Sequence, residues 1–176
     1  MSKFQLQDEA FQSSGVSFAE SQQALQLSPS IYERLGEEGL LELSTLFYDR
    51  VFRDDRETWF LNIFSSSTKQ QAIDNQYRFL VQTFGGPELY KEKKGKYTRL
   101  AGRHANYNIG RRAADRWNQH MQDALQSHSI LQKDSEARMA LENYFQYTAH
   151  YIVAASDFMR PDQLSGGTKI DEGRIW

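Results

Sequence analysis

Only three prolines interrupt this chain of 176 residues, Pro29, Pro87 and Pro161. The long stretches between them show no sustained alternation of apolar and polar residues. Proline breaks helix interiors, and strict alternation marks a half-buried strand, so this pattern favours helices over strands. We therefore predict an all-α fold.

Apolar residues recur at helical spacing in several segments. Ser28-Pro29-Ser30 is typical of a helix start, and a first short helix is predicted to end at Gly36. Ser67 and Gln70 form a capping-box pattern that opens a later helix, which ends before Gly85-Gly86-Pro87. The longer helices are predicted at residues 38–53, 67–84, 111–126 and 134–159, with a short helix or turn at 54–64 and a loop with one short helix at 88–109.

The same pattern predicts one folded domain at residues 28–160, a size that suits a single hydrophobic core. Residues 1–27 are rich in Gln and Ser and are expected to be an extension, either flexible or a short helix. Residues 161–176 contain Gly166-Gly167 and are expected to be a flexible tail.

Composition excludes several classes of function. The chain has no cysteine, which rules out disulfides, thiolate metal sites and cysteine nucleophiles and suits a cytoplasmic protein. A net charge of −2 argues against nucleic-acid binding. No run of 18 apolar residues is present, so we expect no membrane span, and the N-terminal residues lack the apolar block of a signal peptide. A metal would have to be held by histidine, carboxylate or a prosthetic group.

Three polar side chains are predicted on or beside the inward faces of different helices. Gln76 lies in an apolar stripe, Tyr48 borders a leucine-rich face, and Trp117 lies on the inward face of the helix at 111–126. Each has an ordinary interpretation, because an amide can reach a backbone carbonyl and aromatic rings often pack in the core. Together they suggest a small polar pocket inside an apolar shell.

His104 follows a basic loop that holds six Lys or Arg residues between Lys91 and Arg103 against the single Glu92. The loop is either a solvated surface or an anion site. His104 is either an ordinary histidine or a metal ligand, with Trp117 thirteen residues further on. The chain has no H-E-x-x-H zinc motif, no phosphate-binding glycine loop and no recognisable serine nucleophile elbow.

These residues occur in an order that resembles the truncated, two-on-two globins, and among them group II. The resemblance runs from about Ile31 to Ala155, and residues 57–64 and 72–77 are most similar to the plant-type members. The matching motifs are Phe47-Tyr48, Gly85-Gly86-Pro87 with Leu89-Tyr90, Arg103-His104, and Trp117-Asn118-Gln119-His120-Met121. The chain departs from the family at Gly95-Lys96-Tyr97, where Gly-His-Pro is usual, and at Asn106-Tyr107, where Pro-Phe is usual.

The resemblance implies a two-on-two helical sandwich around haem b, with five-coordinate iron bound by His104. It implies distal polar contacts from Tyr48, Gln76 and Trp117, and a small gate residue at Ala72. It also implies pocket walls from Phe47, Phe64, Phe79 and Leu80, and it places Tyr90 and Arg103 near the haem propionates.

The expected function is binding of O2 and other diatomic ligands such as NO and CO, for oxygen binding, sensing or NO detoxification. A second hypothesis is a nitric oxide dioxygenase or weak peroxidase that needs an external reductase. A third is a helical interaction module without cofactor, in which the aromatic residues are plain core. The protein is expected to be a monomer or a homodimer.

Overall fold

The computed structural model of the protein describes residues 2–95 and 109–159. Within these residues the backbone forms eight α-helices and no strand, which confirms the all-α prediction. The helices are α1 (Lys3–Ser14), α2 (Phe18–Gln26), α3 (Ile31–Phe52), α4 (Thr58–Asn62), α5 (Lys69–Thr83), α6 (Leu89–Lys94), α7 (Arg111–Ser127) and α8 (Ser135–Met159).

The start of α5 differs from the predicted capping box by one residue. Thr68 caps the helix: its hydroxyl accepts a hydrogen bond from the Gln71 N–H at 3.2 Å, and its own N–H donates to the Gln71 side chain at 3.0 Å. Ser67 is occupied elsewhere, because its N–H donates to the Phe64 carbonyl and closes the preceding turn. The sequence offers two overlapping capping patterns, and this turn decides between them.

The break predicted at Gly36 lies within α3. Gly36 has a φ of 67° and a ψ of −177°, whereas the residues around it are helical. A positive φ favours glycine because it has no Cβ. The chain therefore changes direction at Gly36, and the long second part of α3 carries Phe47 and Tyr48 into the core.

Four helices enclose the main core. Helix α3 packs against α5 and α7, and α7 packs against α8. Their facing residues include fully buried Leu40, Leu43, Met121 and Leu141. Two pairs of helices thus form a sandwich, and the space between them is available for a site.

The segment predicted as an N-terminal extension contains the two helices α1 and α2, and both pack against α8. Ala10 and Ala24 are buried in these contacts, and the ring centroids of Phe18 and Tyr147 lie 6.0 Å apart. Helix α8 is consequently covered on two sides. The division of the chain at residues 27 and 160 stays a prediction, and the tail at 161–176 lies outside the described residues.

A buried ion cluster joins the segment after α3 to α7. The Asp54 carboxylate accepts two hydrogen bonds of 2.7 Å from the Arg116 guanidinium, and His120 Nε2 lies 2.7 Å from its second oxygen. Hydrogen bonds from Arg116 lower the pKa of Asp54 far below its usual range, although burial opposes them. The His120 ring also lies 5.6 Å from that of Phe60, so the cluster fixes α4 against α7.

We expect Asp54→Asn to lower the free energy of unfolding by about 3 kcal/mol, because breaking a buried ion pair leaves its partners unpaired. The matched control is Asp49→Asn, whose ion pair with Lys69 is partly exposed and should contribute less than about 1 kcal/mol. Urea denaturation at pH 7 measures both. Equal losses in the two variants would contradict the role of the cluster.

The Asp54 cluster should make the free energy of unfolding depend on pH in the acidic range. Because the pKa of Asp54 is depressed in the folded state, its contribution to stability is complete above the unfolded value of about 4 and is lost as the pH falls below it. The free energy of unfolding of Asp54→Asn should therefore fall less between pH 5 and pH 2.5 than that of the unaltered protein.

Candidate functional site

An apolar cleft opens between α4, α5, α7 and α8. Such concave, mostly apolar sites are where proteins usually bind small molecules and cofactors. Nearly all of its lining side chains are aliphatic or aromatic. The predicted site residues that line it are Phe64, Gln76, Phe79, Leu80 and Trp117.

Tyr48 lies behind this lining and is fully buried. Its ring is 4.9 Å from that of Phe47 and 6.0 Å from that of Phe64, centroid to centroid, with both pairs edge-on. Its hydroxyl has no hydrogen-bond partner among the described residues. Burial raises the pKa of the phenol well above its usual value, so the hydroxyl keeps its proton and remains a donor.

Gln76 is 1% exposed and lines the cleft from α5. Neither its amide nitrogen nor its amide oxygen has a partner among the described residues, so the ordinary interpretation, a bond to a nearby carbonyl, does not apply. A buried polar group left without a partner costs about 1–3 kcal/mol. Burial of the unpaired polar groups of Tyr48 and Gln76 therefore lowers the free energy of unfolding. Hydrogen bonds to a polar ligand would offset that loss.

Trp117 connects the two sides of the cleft. Its ring centroid is 4.9 Å from that of Phe47 on α3 and 5.7 Å from that of Phe145 on α8. These contacts join α3, α7 and α8 through one set of rings. The wall of the cleft is consequently built from rigid side chains rather than flexible ones.

The remaining described site residues lie close to this wall. Ala72 is buried on α5, one turn before Gln76, and its side chain packs in the hydrophobic core. Tyr90 on α6 is buried with its ring edge-on to that of Phe79 at 5.6 Å. Tyr90 thus supports Phe79 from behind. Arg103 and His104 lie outside the described residues.

One face of α8 closes the cleft and was not among the predicted site residues. Phe145, Ala149 and Ile152 line the cleft there together with Tyr144 and Thr148. The signal that could have found them is their helical spacing. Residues of a ligand-binding wall and residues of an ordinary core have the same helical spacing, so the sequence alone does not distinguish the two.

The described residues contain no group of three or more histidine or carboxylate side chains placed to hold a metal ion. No helix in the described part of the chain is long and apolar enough to cross a membrane. What the site offers is an apolar space with two buried polar groups at its edge.

Comparison with known proteins identifies the family. A family profile described as bacterial-like globin matches residues 30–151. The chain is 42% identical over 159 residues to two-on-two hemoglobin-3 of Arabidopsis thaliana, which covers 90% of this chain and 87% of that protein. It is 45% identical over 125 residues to group 2 truncated hemoglobin 3-1 of Lotus japonicus, covering 71% and 72% of the two chains.

A solved structure supports the same assignment. The thermostable hemoglobin of the actinobacterium Thermobifida fusca superposes with a TM-score of 0.62 at 30% identity, over 70% of this chain and 96% of that one. The predicted resemblance and the two-on-two helical architecture are thereby confirmed. The chain belongs to the bacterial-like globin family, as a truncated two-on-two globin of group 2, and has that family's general function of binding small gaseous ligands at haem.

Proposed function

We propose that the cleft holds haem b and that the protein binds O2 there, with NO and CO as further ligands. The observation that carries the proposal is the pair of buried polar side chains, Tyr48 and Gln76, without partners beside an apolar cleft. Apolar walls suit the flat face of a porphyrin, and isolated donors suit a small ligand that accepts hydrogen bonds. The residues that line and border the cleft therefore fit a haem group with a small bound ligand.

Haem supplies a ferrous iron that binds diatomic gases. His104 is the proposed proximal ligand, in agreement with its place in the family motif Arg103-His104. Tyr90 and Arg103 are the proposed contacts of the propionates, and Ala72 the gate residue. The proposed walls are Phe47, Phe64, Phe79 and Leu80, of which the last three line the cleft directly.

Tyr48, Gln76 and Trp117 are the proposed distal groups. The Tyr48 hydroxyl is protonated and without a partner among the described residues, so it is free to donate a hydrogen bond to a ligand. The Gln76 amide offers both a donor and an acceptor. The apolar wall surrounds these groups with low-dielectric side chains, in which a hydrogen bond is stronger than in water.

Hydrogen bonds to a ligand that gains negative charge are worth about 1.5–3 kcal/mol, and about 1.4 kcal/mol is a factor of ten in affinity. The distal groups therefore slow the release of O2. Slow release suits sensing or the detoxification of NO better than transport. We accordingly propose a role of that kind.

His104→Gly should abolish stable haem binding, because it removes the proposed bond between protein and iron. The measurement is the Soret absorbance per mole of protein after reconstitution with haem b. Added imidazole should restore the absorbance, since it can occupy the space of the missing side chain. Full haem content in the variant without imidazole would contradict the assignment of His104.

Tyr48→Phe should raise the dissociation rate of O2 roughly tenfold or more, because the loss of one charge-assisted hydrogen bond costs at least about 1.4 kcal/mol. Stopped-flow displacement of O2 by CO measures this rate.

Tyr147→Phe is the matched control for Tyr48→Phe. Tyr147 is also buried, its hydroxyl also lacks a partner among the described residues, and burial raises its pKa to about 12. It lies against Phe18, however, and does not line the cleft. An equal rise in the dissociation rate for both variants would show that loss of a hydroxyl acts through stability rather than through the ligand.

A further inference from the structure

A second cavity lies on the side of α8 that faces α1. Its volume is about 220 Å³, and it is lined by residues of α1, of α8 and of the start of α7. Helix α8 presents His150, Val153 and Ala154 to it, whereas Ala149 and Ile152 face the main cleft. The two spaces are therefore separated by the body of one helix.

His150 is the buried polar group of this cavity. Its side chain is 1% exposed, and neither ring nitrogen makes a hydrogen bond to a described residue. The nearest carboxylate oxygen is Asp115 Oδ1, 3.4 Å from Nε2, and Asp115 itself is largely exposed. Buried polar groups without hydrogen bonds are exceptions in folded proteins, so the His150 ring keeps hydrogen-bonding capacity for a ligand in the cavity.

Arg111 stands at the first position of α7 and lines the same cavity. It makes no ion pair or hydrogen bond within the described part of the chain, unlike its neighbour Arg112, which pairs with Glu57 at 2.7 Å. The N-cap of α7 is Gly110, which provides no side-chain cap, and the first turn contains no acidic residue. A cationic side chain at the positive end of a helix dipole is unfavourable unless an anion neutralises it, and Arg111 has no such partner among the described residues.

Helix α1 completes the set of donors. Gln12 and Ser13 line the cavity opposite Arg111 and His150. The cavity is thus surrounded by an amide, a hydroxyl, a guanidinium and an imidazole, and it lies next to a helix N-terminus without a side-chain cap. Groups of these kinds bind oxyanions in proteins. The carboxylates of Glu9 and Asp157 also border the cavity. Both residues are exposed, and Asp157 already has an interaction partner.

We propose that this cavity binds a small oxyanion, either inorganic phosphate or the phosphate group of a monoester, through Arg111, His150, Gln12 and Ser13. The proposal is independent of the main cleft and of its cofactor. Because α1 contributes two of the four donors, the site exists only in a chain that carries the N-terminal helices.

Binding should be linked to protonation of His150. Burial lowers the pKa of this imidazole; Asp115 acts in the opposite direction, and Arg111 lowers it further. Glu9 on α1 and Asp157 on α8 are the other charged groups that line the cavity. A bound oxyanion favours the protonated ring, so the affinity for an oxyanion of fixed charge should rise when the pH is lowered from 8 to 6.

The test is a calorimetric titration of the full-length protein with inorganic phosphate at constant ionic strength, with sodium chloride as the comparison. Saturable binding of phosphate and not of chloride is expected. Sulfate, whose charge does not change between pH 8 and pH 6, should bind more tightly at pH 6 than at pH 8. Glycerol phosphate is titrated in parallel, because tighter binding of the ester would identify a phosphate monoester as the source, and weaker binding the free ion. Equal responses to phosphate and chloride would overturn the proposal.

Arg111→Gln should weaken phosphate binding about tenfold, whereas Arg112→Gln should leave it unchanged because Arg112 pairs with Glu57 outside the cavity. Glu9→Gln should strengthen binding, because it removes a negative charge from the cavity. These three positions are exposed, so the variants are expected to fold. Unchanged affinity in Arg111→Gln, or weaker affinity in Glu9→Gln, would overturn the proposal.

Discussion

Protein interiors are close-packed, and an apolar cleft within a small helical domain persists only if its walls resist collapse. Here the walls are aromatic rings that pack against one another in edge-on and tilted arrangements. Phe47 contacts both Tyr48 and Trp117 at centroid distances of 4.9 Å, and Trp117 reaches Phe145 on α8. Because aromatic side chains have few rotamers, these rings cannot turn inward to fill the cleft. The relative positions of α3, α7 and α8 depend on the contacts between the rings.

The Asp54 cluster also holds the wall of the cleft in place, at the edge of the site. Its bonds to Arg116 and His120 hold the segment before α4, and the His120 ring supports Phe60, which lines the cleft. A buried ion cluster adds little net stability, but breaking it leaves unpaired charges and is strongly unfavourable. It therefore keeps a chain segment in place. It therefore acts as a positional constraint on the cleft wall.

The helices and much of the candidate site could be predicted because their signals are local. Few prolines, helical spacing and the glycine at position 36 predict where α3, α7 and α8 begin or break, and the inward place of Gln76 follows from its apolar neighbours. The Asp54 cluster could not be predicted, because its members are 62 and 66 residues apart and each is an ordinary charged residue alone. The cavity at His150 depends on α1 packing against α8, which no pattern in residues 1–27 indicates.

Helix α8 is buried on two opposite faces, and this has a consequence for how such chains diverge. The family profile covers residues 30–151, whereas the similarity to the Arabidopsis protein covers 90% of the chain. A lineage that lost the first two helices would expose Tyr147, Val153 and Ala154 to water, together with an imidazole adapted to burial. Polar substitutions on the outer face of α8 would therefore have to accompany the loss of α1 and α2 for such a chain to avoid an exposed apolar surface.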